Sequence, residues 1–148
     1  VTTFAHVNIA AQNWRALANF YIDVFGCEPA GPERDLSAPW LGEAIGVPGA
    51  RLKGQHLRLP GHGPEGPTLE IFQYEAMEPR PDMHANTPGL THLCFRMDDV
   101  AACAERFIQR GGSPVGPLTV SEVAGVGTLT FQYMRDPEGN IVEIQNWS

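Results

Sequence analysis

Four residues stand out for where they occur: His6, Glu70, His92 and Glu143. Each histidine lies in a short alternating run, Phe4-Ala-His-Val-Asn-Ile9 and Leu90-Thr-His-Leu-Cys-Phe95. Each glutamate lies in a run that closes on apolar-Glu-Ile, Thr68-Leu-Glu-Ile-Phe72 and Asn140-Ile-Val-Glu-Ile144. Side chains alternate across a strand, so Val7, Ile9, Leu69, Ile71, Leu93, Phe95, Val142 and Ile144 share the faces expected to pack under helices. The two imidazoles and two carboxylates share the opposite faces, which are expected to line a concave interior. Such a donor set suits a divalent metal of borderline softness. With two open positions the ion would become octahedral and act as a Lewis acid on a substrate oxygen.

Taken singly, a strand histidine is more often a hydrogen-bonded structural residue than a ligand, and a strand-end glutamate is usually solvated. The repeat that places these four changes that reading. His6 plus 86 is His92, and Gly26 plus 86 is Gly112, so strand, helix and stop signal recur at one offset. The first-strand-to-last distances are 64 residues (70 − 6) and 51 (143 − 92), the surplus lying in a Gly/Pro-rich excursion. Each half reads as β-α-β-β-β, and neither buries its sheet face alone. The expected fold class is therefore α+β, with two βαβββ modules forming an open, cupped mixed sheet. Residues 1–148 are read as a single domain, with module one at 1–75, a Pro-rich linker at 76–88 and module two at 89–148.

The elements follow from local signals. Asn13 is placed to cap a helix whose apolar residues, Trp14, Leu17, Phe20, Tyr21, Val24 and Phe25, recur at helical spacing before Gly26. Asp98 or Asp99 caps its counterpart through Val100, Cys103, Phe107 and Ile108. Residues 31–50 read as a long excursion holding Trp40, Leu41 and Ile45, placed to line or cover a pocket. Asp136-Pro-Glu-Gly-Asn140 reads as a hairpin turn, with Pro presetting one φ and Gly supplying a positive one. Period-two counting adds Asn8, Tyr74, Cys94, Arg96, Gln145 and Trp147 to the ligand faces. His56, His62 and His84 have no counterpart in the repeat and read as surface residues.

Charge and composition exclude several classes. Seventeen acidic against 10 basic residues leave a net charge of −7, which disfavours a nucleic-acid partner. No apolar run reaches 18 residues, so no membrane span is expected. The three cysteines, Cys27, Cys94 and Cys103, are odd in number and lack Cys-x-x-Cys spacing. They read as reduced thiols, and with a first segment unlike a signal peptide the expected location is cytoplasmic.

The sequence resembles the vicinal oxygen chelate superfamily, which includes glyoxalase I, methylmalonyl-CoA epimerase, extradiol dioxygenases, and fosfomycin and bleomycin resistance proteins. The resemblance covers the whole chain. It rests on the paired modules, the two histidine strands, Asn19-Phe-Tyr-Ile-Asp-Val-Phe-Gly26 and Arg135-Asp-Pro-Glu-Gly-Asn-Ile-Val-Glu143. It implies a metal site in an open barrel with ligands at His6, Glu70, His92 and Glu143, the ion being Zn, Ni, Co, Mn or Fe. A four-residue set is closest to glyoxalase I and the epimerase. By that analogy the metal holds an enolate-like oxygen while Glu143 or Glu70 moves a proton, giving a metal-dependent lyase or isomerase. The alternatives are an iron-dependent dioxygenase using His6, His92 and Glu143, and a non-catalytic protein of the bleomycin-resistance type. Asn8, Trp40, Tyr74, Cys94, Arg96 and Trp147 are the candidates for contacting a small-molecule substrate. The resemblance also implies a homodimer.

Overall fold

The computed structural model describes all of residues Val1–Ser148. It divides into two compact units, Val1–Arg80 and Pro81–Ser148. Each unit has one mixed sheet with a helix on one face, so the α+β class is met.

In the first unit, β1 (His6–Ala10) leads to α1 (Trp14–Phe25), β2 (Glu28–Leu36), the short α2 (Pro39–Ile45), β3 (Leu52–Arg58) and β4 (Thr68–Tyr74). The sheet order is β1-β4-β3-β2. β1 and β4 are parallel and the other pairs antiparallel. Asn13 caps α1 by accepting from the Ala16 N–H at 3.1 Å. Gly26 ends the helix in the left-handed region, φ 71°. Between them Trp14, Leu17, Ala18, Tyr21 and Val24 turn inward onto Leu57, Leu69 and Ile71, all three fully buried. Burying each such aliphatic side chain stabilises the fold by about 1.5–3 kcal/mol.

The excursion carries a helix that composition conceals. Proline sits in the first turn of α2 and Gly46 closes it at φ 71°. Leu41 packs down onto Ala50, Leu52 and Phe72, with Leu36 and Tyr74 beside them. This second, smaller core covers part of the sheet face opposite α1.

The second unit runs β5 (His92–Arg96), α3 (Val100–Gln109), β6 (Ser113–Pro114), β7 (Thr119–Val123), β8 (Gly127–Arg135) and β9 (Ile141–Trp147). Its sheet order is β5-β9-β8-β6, and β7 also pairs with β8. Asp99 caps α3 through the Ala102 N–H at 2.9 Å, in the place that the 86-residue offset assigns from Asn13 (13 + 86 = 99). Val100, Cys103, Ala104 and Phe107 pack on the fully buried Met134, Val142 and Ile144. Pro117 separates β6 from β7, since proline cannot donate to a ladder.

One equivalence shifts. The left-handed glycine after α3 is Gly111, at φ 99°, and not Gly112. Gly112 is required for space, since a Cβ there would collide with the Phe107 ring.

The hairpin before β9 is built on Asp136, which is 3% exposed. Its carboxylate accepts from the backbone N–H groups of Glu138 and Asn140 at 2.9 Å and from the Asn140 side-chain amide at 2.8 Å. This turn pins Tyr133 opposite Glu143.

Candidate functional site: a carboxylate cluster in each unit

In the first unit three strands converge on Glu70. β4 places it opposite Asn8 of β1 on one side and His56 of β3 on the other. The Asn8 amide donates to Oε1 at 2.8 Å. His56 Nε2 lies 2.8 Å from Oε2, and His6 Nε2 lies 3.9 Å from the same oxygen. The first is a hydrogen bond; the second is a charge contact beyond hydrogen-bond length. The Glu70 side chain is 14% exposed, and a carboxylate so covered needs such partners.

His56 is the main correction to the sequence reading, which took it for a surface residue. Burial, ahead of the opposing charge of Glu70, holds its imidazole below the usual histidine pKa, with His6 and Arg34 adding to the lowering. The neutral ring is the form favoured near pH 7. A carboxylate only accepts, so Nε2 carries the proton donated to Glu70, and Nδ1 accepts from the Thr68 hydroxyl 2.8 Å away. The His6 and His56 rings meet edge to face, 5.6 Å between centroids.

The second unit repeats the arrangement with different chemistry. Glu143 lies opposite Cys94 of β5 and Tyr133 of β8. His92 Nε2 stands 3.2 Å from its Oε2, and the Glu143 side chain is 13% exposed. The thiol and the phenol both lie close enough to Glu143 for its charge to act on them. Desolvation first, then the charge of Glu143, push the Cys94 thiol up to about 12. Cys94 nevertheless has considerable solvent exposure along its edge strand; its pKa reflects the thiol's immediate surroundings. Tyr133 is raised for the same reasons in the same order, with Cys94 adding to them. Both are protonated donors at neutral pH.

The remaining candidates divide. Asn8 and Cys94 belong to the clusters. Arg96 and Trp147 share the Glu143 face by register, Arg96 opposite Gln145 and Trp147 opposite Leu129 at the end of β9. Tyr74 shares the Glu70 face but packs into the small core under α2. Trp40 is 60% exposed, turned outward while its neighbour Leu41 packs inward. His62 and His84 are exposed. A cleft of about 530 Å³ near the start of α1 contains none of the His or Glu residues discussed. Its charges are matched locally, Lys53 with Asp35 and Arg51 with Glu75.

Sequence reasoning missed His56 and Tyr133 as partners of the glutamates. A signal existed in the hairpin register: counting outward from Arg135↔Ile141 puts Tyr133 on Glu143. A search at constant offset conceals the equivalence, because the first strands are 86 apart (92 − 6), the third-strand residues 77 (133 − 56) and the glutamates 73 (143 − 70).

No three His, Cys, Asp or Glu side chains of the chain are gathered into a metal-binding group. Each unit presents an imidazole nitrogen and a carboxylate oxygen aimed at one another, 3.9 and 3.2 Å apart. Donors about 2.0–2.2 Å from a shared ion stand roughly 3–3.6 Å apart at adjacent positions, a spacing that the His92–Glu143 pair meets and the His6–Glu70 pair exceeds. The donor chemistry therefore fits a divalent ion.

The whole-chain comparison agrees with the topology. The model of the Glyoxalase/Bleomycin resistance protein/Dioxygenase superfamily matches residues 3–144. The chain belongs to this superfamily. It is 33% identical over 60 residues to the glyoxalase domain-containing protein RDO1 of Mycosarcoma maydis, covering 40% of this chain and 34% of that protein. It is 32% identical over 82 residues to a 4-hydroxyphenylpyruvate dioxygenase-like protein of Mus musculus, covering 55% and 19%. A glyoxalase family protein from Bacillus cereus has the same fold, with TM-score 0.76, 13% identity and coverage of 99% and 93%. The chain spans about half or less of the length of the curated relatives it matches. No helix is long and apolar enough to cross a membrane.

Proposed function

We propose that the protein is a divalent-metal-dependent lyase or isomerase of the glyoxalase and epimerase type. His6, Glu70, His92 and Glu143 would hold the ion. The observation that carries this reading is the repeated imidazole–carboxylate pair, set by the same strand register in both units. When bound, the ion supplies electrophilic stabilisation for an oxygen that gains negative charge as a neighbouring carbon loses its proton.

The chain's own groups divide the remaining work. Glu70 accepts from an imidazole and an amide, two firm donors that hold both carboxylate oxygens. Glu143 instead faces a thiol and a phenol across the sheet, and a thiol is the weaker kind of donor. Glu143 is therefore the carboxylate that loosens at lower cost and takes the proton from carbon, while Glu70 stays anchored. Asn8, Cys94 and Arg96 are in position to contact substrate. A homodimer and a cytoplasmic location belong to the same proposal.

A second reading is an iron-dependent dioxygenase using His6, His92 and Glu143, favoured by the likeness to the dioxygenase-like protein. The test is to incubate reconstituted protein in deuterated water with 2-oxoaldehyde–thiol adducts and acyl-CoA epimers, and in parallel with catechols under oxygen. Deuterium exchange at carbon next to a carbonyl supports the lyase or isomerase. Oxygen uptake with ring cleavage would replace it with the dioxygenase. Saturable binding without turnover of any panel member would favour a bleomycin-resistance-type binding protein.

A further inference from the structure

β2 carries a cation that the proposed chemistry leaves unused. Across the sheet, Arg34 lies opposite Gly54, two residues from His56 on the same strand face. Arg34 therefore looks out on the Glu70 side. Its sequence neighbours face the other way: Glu33 pairs with Arg15 of α1 at 2.7 Å, and Asp35 with Lys53 at 3.9 Å. Arg58 has Glu28, and Arg51 has Glu75. Every other cation of α1, β2 and β3, and Arg51 just before β3, is thus matched to a carboxylate; Arg34 is not. The side chain is exposed, so it does not hold the fold together.

Two local features place it there. Between Ala30 and Arg34 the register shifts, four residues of β2 spanning two of β3 from His56 to Gly54. The Gln55 amide donates to the Gly31 carbonyl at 3.0 Å and pins this bulge. Bulges re-aim side chains beside sites. Opposite Arg34, Gly54 admits no side chain: a Cβ would collide with the Ile71 carbonyl oxygen and the Phe72 ring. The Phe72 ring, largely buried in the core under α2, lies over Gly54 with its centroid 6.0 Å from that of His56. The guanidinium is close enough for its charge to act on His56.

We propose that Arg34 is an anion-binding residue of the first unit's site, and that the substrate is a compact oxyanion. Its carboxylate or phosphate would meet the guanidinium, and its small apolar body would rest by Gly54 and Phe72. A planar five-donor fork suits either group, and on a chain of net charge −7 a local cation is needed to attract an anion. The proposal rests on the functional reading above only for the location of the reacting end; anion binding itself needs no metal.

The experiment uses the full chain, stripped of metal, titrated by NMR with inorganic phosphate, benzoate and neutral benzamide. Wild type, Arg34→Gln, Arg34→Lys and Lys53→Ala are compared, Lys53 being a matched cation on the opposite face. The expected result is binding of the anions in preference to benzamide. Arg34→Gln should weaken it about tenfold, the size of one lost charge-assisted bond, Arg34→Lys should weaken it less, and Lys53→Ala should leave it unchanged. Equal anion binding by wild type and Arg34→Gln, or none by wild type, would overturn the proposal. Because the measurement is made without metal, failure here leaves the metal reading standing, and failure of metal binding leaves this result standing.

Discussion

The two units place the same carboxylate in the same register and surround it with different donors. Glu70 is flanked by Asn8 and His56, and Glu143 by Cys94 and Tyr133, with His6 and His92 in equivalent positions. The backbone of a duplicated module thus sets which positions meet, and side-chain identity sets what each carboxylate is suited to do. An imidazole and an amide make a fixed acceptor of Glu70. Glu143 instead faces a thiol and a phenol, both raised in pKa.

The largest expected effect concerns Cys94. Its thiol, held near 12, remains protonated through neutral and mildly basic pH. Because a raised pKa favours the protonated fold, that preference is complete below the ordinary thiol pKa and is lost as pH rises toward 12. Alkylation by iodoacetamide at pH 8 should run about a thousandfold slower than for an ordinary free cysteine, in proportion to the thiolate fraction. Glu143→Gln should accelerate it by removing the neighbouring charge. Alkylation at the ordinary rate in wild type would remove the contrast between the units.

Next come the carboxylates. Glu143→Gln is expected to lower turnover by about a hundredfold or more with a smaller loss of metal affinity, and Glu70→Gln to do the reverse. Identical kinetic and binding profiles would mean that the two glutamates do the same work. His56→Ala, which takes away the imidazole behind Glu70, should cost about tenfold in metal affinity, in the range of other residues that orient ligands. Tyr133→Phe should cost less, since no hydrogen bond from the phenol holds Glu143 in place. Smallest are the helix caps. Asn13→Ala and Asp99→Ala should each destabilise by about 1 kcal/mol in urea titrations, because both caps make one equivalent bond. A marked inequality would show that the helices do not contribute alike.

The parts legible in the sequence were those governed by short-range rules. Alternation separated Leu69, Ile71, Val142 and Ile144, all fully buried, from Glu70 and Glu143. Asn13 and the Asp98-Asp99 pair announced their helices, and the cap on the second is Asp99. The hidden parts depend on contacts distant in sequence. α2 lies in a stretch too rich in Gly and Pro to show a helical period, and it forms because Leu41 finds Leu52 and Phe72. His56 was hidden because the loop joining β3 to β4 differs in length from the turn joining β8 to β9. Only pairing brings it to Glu70. Trp40, prominent in composition, points away from the sheet.

The most direct test of the account is metal content by elemental analysis after chelator stripping and anaerobic reconstitution, on wild type, His6→Ala and His92→Ala. If His6, Glu70, His92 and Glu143 are ligands of a common ion, wild type should retain about one ion per chain and either substitution should lower that same occupancy. No retained ion in wild type, or an occupancy indifferent to both substitutions, would contradict it.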